Sequence, residues 1–313
     1  MKIVFLDVKT IGEDIDLSKF DELGEVVRYP FSSVEDIPAR VTDADVIIVN
    51  KVPVNEQTIY TAKNLKLVCV TATGTNNLDK DYLDSRNIAW RNVAGYSTET
   101  VAQHTFAMLF YLMENLRYYD EYVMDRKYVN DVLFTHFGRQ FHELNGLTWG
   151  IIGLGSIGRR VADIAKLFGA KVIYYSASGA APQEGYDQVD FDTLLSTSDI
   201  VSVHAPLNEY TDHLMDDAAF RKMKPSAIFI NVGRGPIISE KALADALKEK
   251  RLLAAGLDVL SQEPMSDTSP FLDILDSDHL LITPHIGWAS VEARTRLMKI
   301  IHKQITSFFE DHE

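Results

Sequence analysis

Short apolar runs alternate with polar, helix-compatible stretches through the first ninety residues: Ile3 to Leu6, Glu25 to Tyr29, Ala44 to Val49, Leu67 to Val70 and Ile88 to Val93. The runs are continuous, as in strands covered on both faces, so the pattern predicts a parallel sheet between layers of helix. The rhythm restarts at Leu147 and continues through Lys171 to Tyr175, Ile200 to Val203, Ala227 to Asn231, Leu253 to Leu257 and Leu280 to Thr283. Between the two series, Val101, Phe106, Met108, Leu109 and Leu112 suit one long buried helix over Thr98 to Tyr119. Leu297, Ile300, Ile301, Ile305 and Phe308 place a last helix over Ser290 to Phe309, expected to return to the first domain. The expectation is an α/β chain of two doubly wound parallel-sheet domains, residues 1–97 with 288–313 and residues 98–287, with a ligand cleft between them.

The run from Leu147 leads straight into Gly153, Gly155 and Gly158, and then into a helix-compatible stretch and the strand Lys171 to Tyr175. A β-α-β unit of that length with glycines at that spacing is a dinucleotide-binding pattern. Gly153 allows the tight turn, Gly155 lets the backbone approach a pyrophosphate, and Gly158 lets helix and sheet pack closely with the helix N-terminus facing the anion.

One part of that pattern is missing. The second strand ends Tyr175-Ser176-Ala177-Ser178-Gly179, with no Asp or Glu to hold ribose hydroxyls and no Arg or Lys from Val172 to Phe220 to receive a 2′-phosphate. Ser176 and Ser178 can bond ribose oxygens, whereas a phosphate without a cation is poorly compensated, so the loop favours NAD without excluding NADP. Ser178 to Gln188 carries Gly, Ala and Pro without an apolar pattern and reads as an exposed loop.

Composition narrows the class. The 313 residues are 46% apolar and 24% charged, and acidic residues exceed basic ones by 45 − 31 = 14. That balance disfavours adsorption to nucleic acid or anionic membrane, so an anionic substrate needs a focused cation. Met1 to Asp7 reads as a first strand rather than a signal peptide, and no apolar run nears the roughly 18 residues of a membrane span. A cytoplasmic protein is expected. The single cysteine, Cys69, lies in an apolar run and reads as a small core residue. His104, His136, His142 and His204 show no ligand spacing that would call for a metal. Tyr122 to Glu143, rich in aromatics and charges without a clean period, reads as a subunit contact.

Three chemistry-bearing side chains follow strands of the second series. Arg234 lies in Ile230-Asn-Val-Gly-Arg-Gly-Pro236, Glu263 precedes Pro264, and His285 lies in Thr283-Pro-His-Ile-Gly-Trp-Ala-Ser290. Loops after the carboxyl ends of such strands line the ligand crevice. Taken singly, each also fits a solvated or structural role.

Together, the segments Ala72-Thr-Gly-Thr-Asn-Asn-Leu-Asp79, Asn92-Val-Ala-Gly-Tyr-Ser-Thr-Glu-Thr-Val-Ala102, the glycine motif, His204-Ala-Pro-Leu207, Asn231-Val-Gly-Arg-Gly235, Gly256-Leu-Asp-Val259, Glu263-Pro264 and Thr283-Pro-His285 resemble the D-isomer-specific 2-hydroxyacid dehydrogenases over essentially the whole chain. The resemblance implies a flavodoxin-like substrate domain and a Rossmann NAD-binding domain, with Arg234, Glu263 and His285 catalytic. It implies that the backbone of Thr73 and Gly74 holds the substrate carboxylate and that Asp258 contacts the nicotinamide amide. It places Thr98, Ser156, Ile157, His204, Ala205, Pro206, Val232 and Gly233 at the cofactor. By the same analogy Lys51, Val52 and Trp288 shape the substrate pocket. A homodimer formed through the nucleotide-binding domains is implied too.

The chemistry agrees. Reducing a 2-oxo acid needs an acid for the carbonyl oxygen, which His285 can supply near neutral pH. It needs a carboxylate to orient that acid and favour its charged form, as Glu263 can, and a planar cation for the substrate carboxylate, as Arg234 can. The surroundings of Trp288 resemble those of glycerate dehydrogenases and hydroxypyruvate reductases more than those of D-lactate dehydrogenases, and that resemblance implies hydroxypyruvate and glyoxylate as substrates. D-lactate-type or bulkier 2-oxo acids are the alternative within the class. A non-catalytic dinucleotide sensor or corepressor is the alternative outside it. Formate dehydrogenases resemble the chain but carry Gln where Glu263 stands, and a phosphoglycerate dehydrogenase with an added regulatory domain would extend further beyond the last helix.

Overall fold

The computed structural model describes residues 1–179 and 181–311. Ala180, within the expected loop, and the last two residues of the closing segment lie outside the described residues. Residues 1–97 and 289–313 form one compact unit and residues 98–288 a second.

In the first unit, β1 (Lys2–Phe5), β2 (Glu25–Arg28), β3 (Val46–Val49), β4 (Leu67–Val70) and β5 (Ala89–Arg91) pair in parallel in the order β2-β1-β3-β4-β5. Val4, Leu6, Ile47, Val49, Val68 and Val70 share one core cluster. Their neighbours Ile3, Phe5, Ile48 and Cys69 point the other way and are buried as well. Burial of both faces is why the runs are continuous. It also pushes the Cys69 thiol up to about 12, which makes it a core residue rather than a nucleophile. The closing helix Val291–Glu310 is capped by Ser290, whose side chain accepts from the Ala293 N–H, and buries Leu297, Ile301 and Ile305. Ile300 and Phe308 are only partly covered. Arg294 forks onto Asp14, Arg296 donates to the Tyr96 carbonyl and Gln304 to the Asn92 carbonyl, which fastens the helix to this unit.

In the second unit, β6 (Thr148–Ile152), β7 (Lys171–Tyr175), β8 (Asp187–Gln188), β9 (Ile200–Val203), β10 (Ile228–Asn231), β11 (Ala254–Leu257) and β12 (Leu280–Ile282) form a parallel sheet ordered β12-β11-β10-β9-β6-β7-β8. The order reverses between β6 and β9, and a crevice opens beyond the carboxyl ends of strands at such a point. Trp149 and Ile151 enter one core cluster with Phe106 and Leu109, while Ile152 enters the other with Val201, Val203 and Phe229.

Two elements differ from expectation. The long helix runs only from Thr98 to Met113, and a second runs from Leu116 to Met124. Between them Asn115 takes φ 53°, a left-handed conformation that asparagine tolerates better than most residues. The loop expected over Ser178 to Gln188 ends in β8, whose Asp and Gln carry no apolar signal because the strand pairs by backbone at the sheet edge.

Residues after Met124 fold back on that second helix. Tyr122 stacks on His136 at 3.8 Å between centroids, the Tyr118 hydroxyl meets His136 Nε2 at 2.9 Å, and Arg139 pairs with Asp278. Phe134 and Phe137 nevertheless stand 91% and 86% exposed. Among the described residues no helix is long and apolar enough to cross a membrane.

Candidate functional site

Each glycine of the turn after β6 has its own physical reason. Gly153 takes φ 91°, and a Cβ there would lie 2.7 Å from the Ala205 backbone. A Cβ on Gly158 would overlap the Gly153 carbonyl, so this glycine lets the helix Ser156–Leu167 start against the strand end. Gly155 faces open space, and as N-cap it gives that helix no side-chain cap, which leaves the first N–H groups to an anion. Ser156 is exposed at the first helical position, while Ile157 packs on the Trp149 cluster and leaves only its backbone to the turn.

His204, just past β9, carries an atom awaiting a partner. Its Nε2 lies 2.9 Å from Ser202 Oγ, which itself accepts from Trp149 Nε1. The indole can only donate, so full satisfaction sends the serine proton to Nε2 and leaves a proton on Nδ1. That buried Nδ1 meets no partner among the described residues. Burial holds the imidazole neutral, its pKa pushed down to about 3. Ala205 is buried beside the turn and Pro206 is exposed. The turn, the uncapped helix and the orphaned donor fit a dinucleotide.

The loop after β7 is built differently from a ribose-holding carboxylate. Ser176 and Ser178 Oγ lie 3.2 Å apart. Gln183 donates to the carbonyl of Leu154, within the glycine turn, and accepts from Arg159 at 3.1 Å. A guanidinium therefore does reach this loop, from the helix rather than from the loop's own sequence.

At the carboxyl ends of β10 to β12 the three expected side chains sit on loops tied to one another. Buried Asn231 accepts from the Gly233 N–H and donates to the Arg234 carbonyl, fixing the turn that carries Arg234. The guanidinium itself donates to the Gly233 carbonyl at 2.7 Å, and Val232 packs on the core. Gly235 lies against Leu260 and Ser261 of the next loop so closely that a Cβ would overlap their backbone. On that next loop Glu263 accepts from the Leu260 N–H through Oε1 and meets His285 Nδ1 through Oε2 at 2.7 Å. His285 takes φ 54°, uncommon for a side chain of its size.

Asp258, 3% exposed, lies beneath this loop. Its Oδ1 accepts from the Ile286 N–H and the Thr283 hydroxyl, and its Oδ2 from the Gly287 N–H, at 2.7 to 2.8 Å. Burial by itself would raise its pKa, but the donors of His104, Thr283, Gly287 and Ile286 hold the carboxyl below the usual range. Trp288 follows directly and is partly buried, and Thr98 opens the helix that carries His104.

The first unit presents its own candidates. The N–H groups of Thr73 and Gly74, just past β4, donate to no other described residue, while the Thr73 hydroxyl and carbonyl are tied to Val93 and Asn92. Asp7, at the end of β1, accepts from the N–H groups of Asn50, Lys51 and Val52 at 2.8 to 3.3 Å. This leaves the Lys51 side chain exposed. Val52, read as a pocket residue, instead turns its side chain into the core at 5% exposure. A valine after a tight loop fills whichever apolar space its backbone offers.

Asp7, Asn231, Thr283, His104, Arg159 and Gln183 carry parts of these arrangements that the sequence reading assigned no role. Thr283 and Asn231 lie in segments that carry the family resemblance. The others act through backbone groups or across elements distant in sequence, where spacing gives no signal.

Residues 106–287 match the family description "D-isomer specific 2-hydroxyacid dehydrogenase, NAD binding domain". The chain is 34% identical to a hydroxypyruvate reductase of Blautia hydrogenotrophica, covering 99% of this chain and 97% of that protein. It is likewise 34% identical to a glycerate dehydrogenase of Methylorubrum extorquens, covering 99% and 95%. Its fold is similar to that of an acyclic imino acid reductase solved with NADPH and D-Arg, with TM-score 0.87, 30% identity and coverage of 99% and 98%. The chain belongs to the D-isomer specific 2-hydroxyacid dehydrogenase family, oxidoreductases that act on a CH–OH group with NAD.

Proposed function

We propose that the protein reduces a small 2-oxo acid, hydroxypyruvate to D-glycerate or glyoxylate to glycolate, with Arg234, Glu263 and His285 as its catalytic residues. The observation that carries this reading is the 2.7 Å contact of His285 with Glu263 on a loop packed against the one that bears Arg234. When bound, the reduced nicotinamide supplies the hydride. His285 gives its Nε2 proton to the carbonyl oxygen, while Glu263 on Nδ1 holds the ring in orientation. Arg234 offers a fork to the carboxylate. As the resemblance implies, the N–H groups of Thr73 and Gly74, which donate to no other described residue, serve a substrate carboxylate, and Lys51 and Trp288 contribute to selecting the group beyond the carbonyl. Residues 98–287 serve as the dinucleotide domain and the remainder as the substrate domain. Names of relatives supply the choice of acid, and larger 2-oxo acids are its competitors, since a pocket contact of about 1–3 kcal/mol can reverse such a ranking.

The dinucleotide contacts would come from the glycine turn, Ser156, Ser176, Ser178, the Nδ1–H of His204 and the backbone of Val232 and Gly233. Arg159 beside Gln183 favours a second cofactor reading, in which NADPH is accepted alongside NADH. The exposed Phe134 and Phe137 favour a homodimer in which this arm is covered by a second copy. The single buried cysteine suits the reducing cytoplasm.

The test is a set of initial rates with NADH and NADPH against hydroxypyruvate, glyoxylate, pyruvate and a bulky 2-oxo acid, repeated for Arg234→Ala. Turnover of the two small acids that the substitution abolishes supports the reading. Nucleotide binding without turnover of any acid overturns it.

A further inference from the structure

We infer that His104 is a positioning residue for His285, acting through Thr283 and Asp258. The inference rests on the proposed role of His285 as the proton source.

His285 sits at φ 54°, a left-handed conformation that few non-glycine residues adopt and that persists only when its surroundings impose it. What imposes it is visible on both sides. Its own N–H turns back to the Thr283 carbonyl at 2.9 Å. The next two N–H groups, of Ile286 and Gly287, are both captured by one carboxylate, Asp258, at 2.8 Å each. The imidazole therefore reaches Glu263 only as long as Asp258 keeps both oxygens aimed at this backbone.

Asp258 is aimed by Thr283 and His104. The Thr283 hydroxyl donates to Asp258 Oδ1 at 2.7 Å, so its oxygen accepts from the His104 Nε2–H at 3.0 Å. The same Nε2 lies 3.3 Å from Asp258 Oδ1. His104 comes from the helix Thr98–Met113, which is packed into the core of this unit by Phe106, Met108 and Leu109, so the imidazole is a rigid back wall. Gly287 closes the arrangement: a Cβ there would lie 2.8 Å from Asp258 Oδ2 and 3.2 Å from His104 Cδ2. A glycine lets carboxylate and imidazole come up against the loop together. The titratable groups that meet this loop are thus Glu263 on the His285 ring and Asp258 and His104 beneath the backbone.

His104 touches none of the proposed reacting groups and reaches His285 only through Thr283 and Asp258, so its effect belongs in proton delivery and not in binding. The test uses His104→Leu, which removes the donor, and His104→Gln, whose amide can replace it. Thr283→Val, isosteric and lacking the hydroxyl, breaks the same bridge from the other end should the leucine variant not fold. Each is assayed for kcat and KM, for NADH affinity by fluorescence titration, and for the Nδ1-bound proton of His285 by NMR, with Glu263→Gln alongside. The expected result is a fall in kcat of tenfold or more for His104→Leu and Thr283→Val, with the KM for the oxo acid and NADH affinity within about twofold. The His285 resonance should be lost, as in Glu263→Gln, and His104→Gln should restore both the resonance and most of the rate. Folded His104→Leu and Thr283→Val with unchanged kcat and resonance overturn the inference. If Glu263→Gln itself leaves kcat unchanged, the proton-source reading fails, and the resonance alone then decides whether His104 positions the ring.

Discussion

Gly235 and Leu260 approach so closely that no side chain fits between them, and this contact joins the loop bearing Arg234 to the loop bearing Glu263. The two loops follow adjacent strands β10 and β11, and in the proposed reading, with Arg234 on the substrate carboxylate and Glu263 behind the proton source, they must keep a fixed separation to act on one small substrate. Gly235→Ala should therefore separate them. We expect a stability loss of about 1–3 kcal/mol from overpacking, read in a thermal melt, together with a drop in kcat/KM of more than tenfold.

The guanidinium of Arg159 reaches the loop that would surround the adenosine ribose. A 2′-phosphate there gains a charge-assisted partner, whereas a ribose hydroxyl gains little. Arg159→Gln should weaken NADPH binding by about tenfold or more and leave NADH binding within twofold, as measured by fluorescence titration. Equal weakening of both would place Arg159 at the pyrophosphate or at the fold instead.

Two buried carboxylates at strand ends shift in opposite directions. Asp7 is raised by burial despite three backbone donors, whereas for Asp258 the donors outweigh burial and lower it. A lowered carboxylate contributes stability that is present above its unfolded pKa and is lost as pH falls through the folded one. A raised one opposes folding above its folded pKa, and acid relieves that opposition. Asp258→Asn should therefore flatten the loss of stability below about pH 4, where an ordinary carboxylate titrates, while Asp7→Asn should not. Urea unfolding at stepped pH checks both.

The arm after Met124 is held to its own helix by the Tyr122–His136 stack, yet presents Phe134 and Phe137 to solvent. Apolar area of this kind on an ordered segment calls for a partner surface. Phe134→Asp with Phe137→Asp should convert a dimer to a monomer in sedimentation while leaving the far-ultraviolet circular dichroism unchanged. A wild-type protein that sediments as a monomer contradicts the reading.

Both sheets were legible because parallel strands buried on two faces write unbroken apolar runs, and the glycine turn because backbone approach leaves residue types no choice. The break at Asn115 was hidden inside an apolar period that continues across it, and β8 has no side-chain signature at all. In the site, Arg234, Glu263 and His285 stood out as titratable groups after strands. The contacts that hold the candidate loops did not: Asp7 fixes the Lys51 loop and Asn231 the Arg234 turn through backbone groups, His104 reaches Asp258 across more than 150 positions, and Arg159 reaches Gln183 from a neighbouring element. Spacing along the chain reports none of these contacts.

The most direct measurement is kcat and KM for hydroxypyruvate reduction with saturating NADH, for the wild type and for Glu263→Gln. The carboxylate on Nδ1 holds the ring that delivers the proton, so its loss should lower kcat by tenfold or more while the KM for hydroxypyruvate stays within about twofold. An unchanged kcat in the variant would contradict the assignment of His285 and Glu263 as the proton-delivering pair.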